Sequence, residues 1–401
     1  MANPHSRALE LFLCVVVVPL LLLAILWIPL ERTGLQGSAD FIQFYSAGKI
    51  VASDHYSHLY DPVLQSDMQW EIARREEPTL FNHPPFEAVL YAPLAQFSYG
   101  TAFGVWTFLN LSCLGLVFFL LRTYGPPFEL TERLLLIAAA FYPVLATIVQ
   151  GQDSLLILLA YVGSFLLLRA GRDFLAGLLL GIALVKPQLV IPFALLLLLR
   201  GRWKFVAGLT ASASALVILS LLLVGPAAVI RYPLLILEMN GHARAFHVFP
   251  ETMPNLRGLL TLLVPASLPS SVLNLLVAAI SFAVLVWVNR NVARRRNCFD
   301  LSFSLAVVAT LLLSFHLLIH DLSLLILPVF LLLHHLQLVE SFWTRFKILR
   351  VAPLALLFLT FFAMQFLGLR AFSVAAIPVL GIAFAIAVTP ASPASLSDSN
   401  L

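Results

Sequence analysis

Apolar runs long enough to enter a bilayer recur from residue 11 to residue 387, separated by polar or Gly/Pro-marked gaps. A helix crosses membrane hydrocarbon with about 20 consecutive apolar residues, whereas a helix of a soluble protein needs only an apolar stripe. No stretch of this chain is polar enough to fold separately in water. Of its 401 residues, 61% are hydrophobic and 11% charged, against roughly 45–50% and 25% in a soluble domain. Soluble enzyme, coiled coil, collagen and disordered chain are excluded together. The expectation is an all-α polytopic domain over residues 1–390, followed by a short cytoplasmic tail at 391–401.

Twelve candidate spans fall near residues 8–30, 84–121, 133–149, 154–168, 174–185, 188–199, 205–224, 269–289, 301–317, 322–338, 351–367 and 371–388. The first run is longer than the roughly 7–15 residues of a signal-peptide core, so it reads as a membrane helix and not as a leader. The second is too long for one crossing, and a re-entrant or surface piece over 84–97 is expected to precede the crossing proper. The fifth and sixth abut at Lys186-Pro187-Gln188. Helices break in this way where the junction lines a protein cavity instead of lipid.

With the N-terminus inside, 15 of the 24 Lys and Arg residues fall on the cytoplasmic side, as the positive-inside rule requires. Both chain ends are then cytoplasmic. The long loops, 31–83 and 225–268, face outward, and function is expected there. The first of them has helical texture and reads as amphipathic helix lying on the membrane surface. The basic gaps are too short for a nucleic-acid site and serve as membrane-lipid anchors. Cys14, Cys113 and Cys298 form no C-x-x-C and accompany no zinc-spaced histidines, so neither a disulfide framework nor a metal site is indicated and no cofactor is expected.

A charge in or near hydrocarbon costs about 2.5–3.5 kcal/mol even on the lenient insertion scale, so each one needs a partner or a task. Five outward stretches carry such groups and could converge on one cavity. Asp40 opens a helical segment; it can be an N-cap, the commoner role, or a general base for a sugar hydroxyl. Lys186 can snorkel, or with Gln188 and Arg257 it can bind a phosphate. His320 and Asp321, with His316 one turn earlier, are an interfacial polar pair or a proton-donating group near a leaving phosphate. His83 precedes Pro84-Pro85 in a rigid helix entry or a binding loop, and Gln152 and Asp153 read equally as caps of the next helix. Absent are a P-loop, G-x-G-x-x-G, D-x-D, H-E-x-x-H and G-x-S-x-G, which disfavours ATP-driven pumps and enzymes that hold a nucleotide diphosphate through a metal.

Taken in order, Asp40-Phe-Ile-Gln-Phe-Tyr-Ser-Ala-Gly48, His83-Pro-Pro-Phe86, Gly151-Gln152, Lys186-Pro-Gln188, Asn255-Leu-Arg257 and His320-Asp321 resemble family 87 glycosyltransferases. The likeness covers about residues 38–325 and lies in the order of the motifs, since each alone is weak. It implies a GT-C fold of about a dozen membrane helices with an extracytoplasmic active site in the inner (plasma) membrane. It also implies an inverting transfer of a hexose, mannose by the resemblance, from a polyprenyl-phosphate donor to a lipid or glycan acceptor. The family's catalytic aspartate aligns with Asp40, and its late histidine with His320 or His316. Lys186, Arg257 and Gln188 are then assigned to the donor phosphate, and His83, Tyr45, Gln152, Asn255, His316 and Asp321 to substrate contacts. A transporter or flippase of lipid-linked sugars competes, but it calls for inverted repeats and mid-membrane polar groups. No convincing repeat is present. A noncatalytic lipid-binding homologue is the third reading.

Overall fold

The computed structural model describes residues 10–24, 37, 39–75, 77–124, 141–241, 248–265, 267–294, 298–338, 353, 355–357, 359–360 and 372–389. Every regular element among them is helical and no strand occurs, as expected where each backbone polar group must be satisfied within its own segment. Four helices, Tyr99–Arg122, Trp203–Leu223, Ser270–Arg294 and Ile319–Leu336, are long and apolar enough to cross a membrane. Shorter apolar helices at Glu10–Ala24, Ser154–Arg169, Asp173–Val185, Pro187–Leu199, Phe299–Leu313 and Phe372–Val388 fall on further expected spans. The start of the expected span at 133–149, most of that at 351–367, and the tail at 391–401 lie outside the described residues. Within their most apolar windows only 11% of Trp203–Leu223 and 6% of Ser270–Arg294 is buried. Surfaces that apolar are stable against lipid, where exposure carries no hydrophobic penalty.

The first long loop departs from expectation. Helix α1 (Phe41–Val51) does not lie on a surface: nine of its eleven residues are buried. It is roofed by α3 (Pro85–Tyr91), which approaches so closely that a Cβ on Gly48 would stand 2.7 Å from the Tyr91 carbonyl. Phe44 stacks on Tyr91 with centroids 4.9 Å apart and meets His83 edge-on at 5.0 Å. Between them, α2 (Pro62–Ala73) is inverted relative to a soluble helix, with Val63 and Trp70 exposed and Gln65 and Gln69 buried. Those amides are occupied: Gln65 accepts from Phe81 N–H at 2.7 Å, and Gln69 pairs with both backbone groups of Thr79. The extended segment they grip leads directly to His83.

Residues 84–97 divide as expected, into α3 and a single 3₁₀ turn ahead of the long helix α4 (Tyr99–Tyr124). Helices α5 (Tyr142–Gln150) and α6 (Ser154–Arg169) meet at a tight turn. After α7 (Asp173–Leu180) the chain tightens into 3₁₀ turns at Gly181–Val185 and Pro187–Leu189, because Pro187 has no N–H to continue a helix, and resumes as α8 (Ile191–Leu199). Helix α9 (Trp203–Leu223) crosses α7 at a pair of glycines. A Cβ on Gly177 would strike the Phe205 carbonyl oxygen, and one on Gly208 that of Phe174. Small residues give such helices their close approach where no hydrophobic force drives them together. Gly208→Val is therefore expected to destabilise the protein by about 1–3 kcal/mol through overpacking. Thermal melting of the detergent-purified protein checks this, and an unchanged midpoint contradicts the crossing.

Candidate active site

Three breaks in the helical pattern deliver polar groups to one place. The first is at Gly151, whose φ of +65° closes α5 in the left-handed conformation that glycine adopts without strain. Trp106 Nε1–H donates to its carbonyl at 2.9 Å, and the turn presents Gln152, Asp153 and Ser154. The second break is Lys186, between the two 3₁₀ turns. The third is the segment from Ser314 into the 3₁₀ stretch Ile319–Leu325, which carries His320 and Asp321.

Lys186 is 3% exposed and is the hub. Its Nζ lies 2.8 Å from Asp153 Oδ1 and 2.8 Å from Asp321 Oδ1. It also reaches Gln152 Oε1 at 3.0 Å, His320 Nε2 at 3.2 Å and Ser154 Oγ at 3.4 Å. An ammonium only donates, so His320 must accept at Nε2, which leaves its ring proton on Nδ1 and the imidazole neutral. Asp321 is held from its other sides by Ser154 Oγ–H at 2.9 Å and Leu318 N–H at 3.0 Å.

Asp40 sits at the edge of this cluster and is not an N-cap: its side chain makes no capping bond to α1. Its Oδ2 instead accepts from Gln152 Nε2–H at 2.8 Å, and the same amide's oxygen accepts from Lys186. Its backbone N–H donates to Gln150 Oε1 at 3.1 Å, while Arg75 Nη1–H grips the carbonyls of Gly37 at 2.6 Å and Ala39 at 3.4 Å just upstream. Burial pushes the Asp40 carboxyl above its ordinary range, against the opposing pull of the Gln152 hydrogen bond and of Arg75 and Lys186. Asp153 likewise makes no capping bond to α6; its carboxylate turns to Lys186.

Asp40, Gln152, Lys186, Gln188, Arg257, His83, His316, His320 and Asp321 all line one cavity of about 880 Å³, within the size range of ligand pockets. Helix α10 (Leu256–Leu263) supplies Arg257, which donates to Phe315 O at 3.3 Å and lies 4.2 Å over the Phe315 ring. No carboxylate among the described residues pairs with it. Burial pushes His316 down to about 4, so it is neutral near pH 7.

Two expected site residues stand apart from the cavity wall. Tyr45 donates to Phe97 O at 2.7 Å inside the packing of α1 against the 3₁₀ turn. Asn255 caps α10 by accepting from Gly258 N–H at 2.9 Å and ties it to Ser314 O at 2.8 Å, so its amide is occupied in placing Arg257. Arg75 and Glu87 were not legible as site residues. Glu87 pairs with His83 Nδ1 at 2.8 Å, and burial pushes its carboxyl up to about 7. Burial works to lower His83, but the Glu87 carboxylate outweighs it and raises the imidazole. The i, i+4 spacing of His83 and Glu87 was the available signal; Arg75 offered none. The ligand atoms of His83, Glu87 and Asp153 lie within 4.8 Å of one another, and all three residues are buried.

Removing the hub cation leaves two buried carboxylates without a counter-charge, which costs about 3–5 kcal/mol. Lys186→Met is expected to destabilise the protein by that amount, and adding Asp321→Asn is expected to restore part of it. Chemical or thermal unfolding of the purified single and double variants reads both; simple additivity contradicts the arrangement.

The family model for glycosyltransferase family 87 matches residues 81–319, more than half the chain; the match takes in the breaks at Gly151 and Lys186, begins after Asp40 and ends just before His320. Neither a curated protein nor a solved structure matches it.

Proposed function

Because the chain belongs to glycosyltransferase family 87, we propose that it transfers a hexose, in the first instance mannose, from a polyprenyl-phosphate donor to a lipid or glycan acceptor. Transfer takes place at the outer face of the inner membrane in a twelve-span GT-C arrangement with both chain ends cytoplasmic. The observation that carries the reading is the relay Asp40–Gln152–Lys186 opening on a cavity that also holds Arg257. It unites one carboxylate fit to take a proton with a cation fit to hold a leaving phosphate.

The acceptor hydroxyl attacks the anomeric carbon as the bond to the phosphate oxygen breaks, and its proton passes to Asp40 Oδ1, the oxygen that Gln152 leaves free. Attack from the face opposite the phosphate inverts the anomeric centre. The departing phosphate gains negative charge, and stabilising that charge is the largest catalytic contribution available to such a site. Arg257 is the cation for it, because its charge is not already neutralised; Gln188 and the Nδ1–H of His320 add neutral donors. Lys186 has two carboxylates on it and acts chiefly by holding Gln152, and through it Asp40, in place. Apolar wall residues such as Ile191 and Met239 suit an isoprenoid.

Incubation of the purified protein with labelled polyprenyl-phosphate sugars and a lipid acceptor fraction is expected to yield a labelled product with inverted configuration. Asp40→Asn is expected to lower the rate about 10²–10⁴-fold, the usual range for a general base, with folding intact. Unimpaired turnover by that variant removes Asp40 from the role, and movement of unaltered donor across liposomes without product identifies a flippase. The base form of Asp40 is the active one and its carboxyl is raised by burial. Activity is therefore expected to be full above that raised value and to fall as pH drops through it, at a higher pH than an exposed aspartate titrates. A pH–rate profile reads this directly.

A further inference from the structure

His83, Glu87 and Asp153 come from three pieces of chain: the loop ahead of α3, α3 itself and the Gly151 turn. Each offers one ligand atom, and these lie within 4.8 Å of one another. Glu87 is 1% exposed and Asp153 0%. Glu87 Oε2 lies 2.8 Å from His83 Nδ1 and Asp153 Oδ1 lies 2.8 Å from Lys186 Nζ. The other oxygen of each carboxylate, Glu87 Oε1 and Asp153 Oδ2, has no partner, and neither has the buried Tyr91 O–H beside them. Carboxylate oxygens left this bare in a protein interior are costly and call for a missing partner.

The charge count gives the partner's sign. Glu87, Asp153 and Asp321 bring three carboxylates to the cluster, and Lys186 is the ammonium that faces two of them. With His83 as the neutral imidazole, two negative charges are left for a partner to offset. A divalent cation would make the buried core neutral. We infer that His83, Glu87 and Asp153 form a binding site for one divalent metal ion beside the Lys186 hub. One imidazole nitrogen with two carboxylates selects the Zn²⁺ or Mn²⁺ class, with room for a further ligand. Ligand atoms about 2.0–2.2 Å from zinc stand about 3.3 Å apart in a tetrahedral site, so the three draw in by up to about 1.5 Å. Contacts of the His83 ring with Phe44 at 5.0 Å and Phe81 at 5.6 Å fix its plane, and Tyr60 O–H holds its backbone carbonyl at 2.6 Å. Lys186 keeps to one oxygen of Asp153, leaving the other for the ion.

This site goes beyond the glycosyl-transfer reading, and its test does not read transfer, so either can fail alone. The full-length protein in detergent is stripped with a chelator, loaded separately with Zn²⁺ and Mn²⁺, dialysed and measured for metal per chain by elemental analysis, with affinity from calorimetry. The expected result is about one retained ion per wild-type chain and a rise in melting temperature on loading. Glu87→Gln and Asp153→Asn should each weaken binding at least tenfold. If one variant does not fold, the other decides. Retention of neither ion by the wild type, or equal affinity in a folded variant, overturns the inference and leaves the Lys186 ammonium as the cation beside these carboxylates.

Discussion

A single ammonium sets the architecture of the candidate site. Lys186 is buried at a helix break and touches side chains from two other, separated parts of the chain, at Gln152–Ser154 and at His320–Asp321. Burying a charge is tolerable only when pairing and hydrogen bonds replace its water. The fold meets that demand by interrupting helices at Gly151, at Pro187 and after Ser314, each break turning side chains inward. The irregular backbone and the cluster are one feature: without the cation the breaks have nothing to converge on, and without the breaks an uninterrupted helix could not bring those groups together.

The same hub reaches Asp40 through one amide. Gln152 donates to Asp40 while its oxygen accepts from Lys186, which refers the carboxylate's orientation back to the buried core. Arg75 and Gln150 fix the backbone at Asp40 and just upstream of it. Preorganised polar groups of this kind need no rearrangement when charge develops in a transition state. The division of cations follows from charge: Lys186 is neutralised within the protein, whereas Arg257, stacked on Phe315, keeps its charge available to a ligand.

Much of this was legible in the sequence because membrane insertion is a composition problem. The helical class, the break at Lys186-Pro187-Gln188, the division of 84–121 and the gathering of polar groups in one cavity all follow from where apolar runs stop. Less legible was anything that depends on tertiary cover. Periodicity gave α1 an amphipathic character, yet α3 closes over it and buries nearly every residue. Capping statistics favoured a cap at Asp40, and the same local rule applied to Asp153; in both, a partner more than a hundred or some thirty residues away competes more strongly than the adjacent backbone N–H groups. Asn255 was the reverse, a cap read as a substrate contact. Arg75 bonds only backbone carbonyls, for which a sequence carries no pattern, and Glu87 becomes meaningful only once α3 is seen to point it at His83 and Asp153.

The account's central claim is that Asp40 and Arg257 face the two ends of one scissile bond across the Lys186 cluster. A cryo-EM reconstruction of the full-length protein with a non-hydrolysable polyprenyl-phosphonate sugar bound tests it most directly. The account requires the sugar's anomeric carbon beside Asp40, with space for an acceptor between them, and the phosphonate against Arg257. Lipid density that leaves this cavity empty, or a head group bound with its sugar away from Asp40, contradicts it.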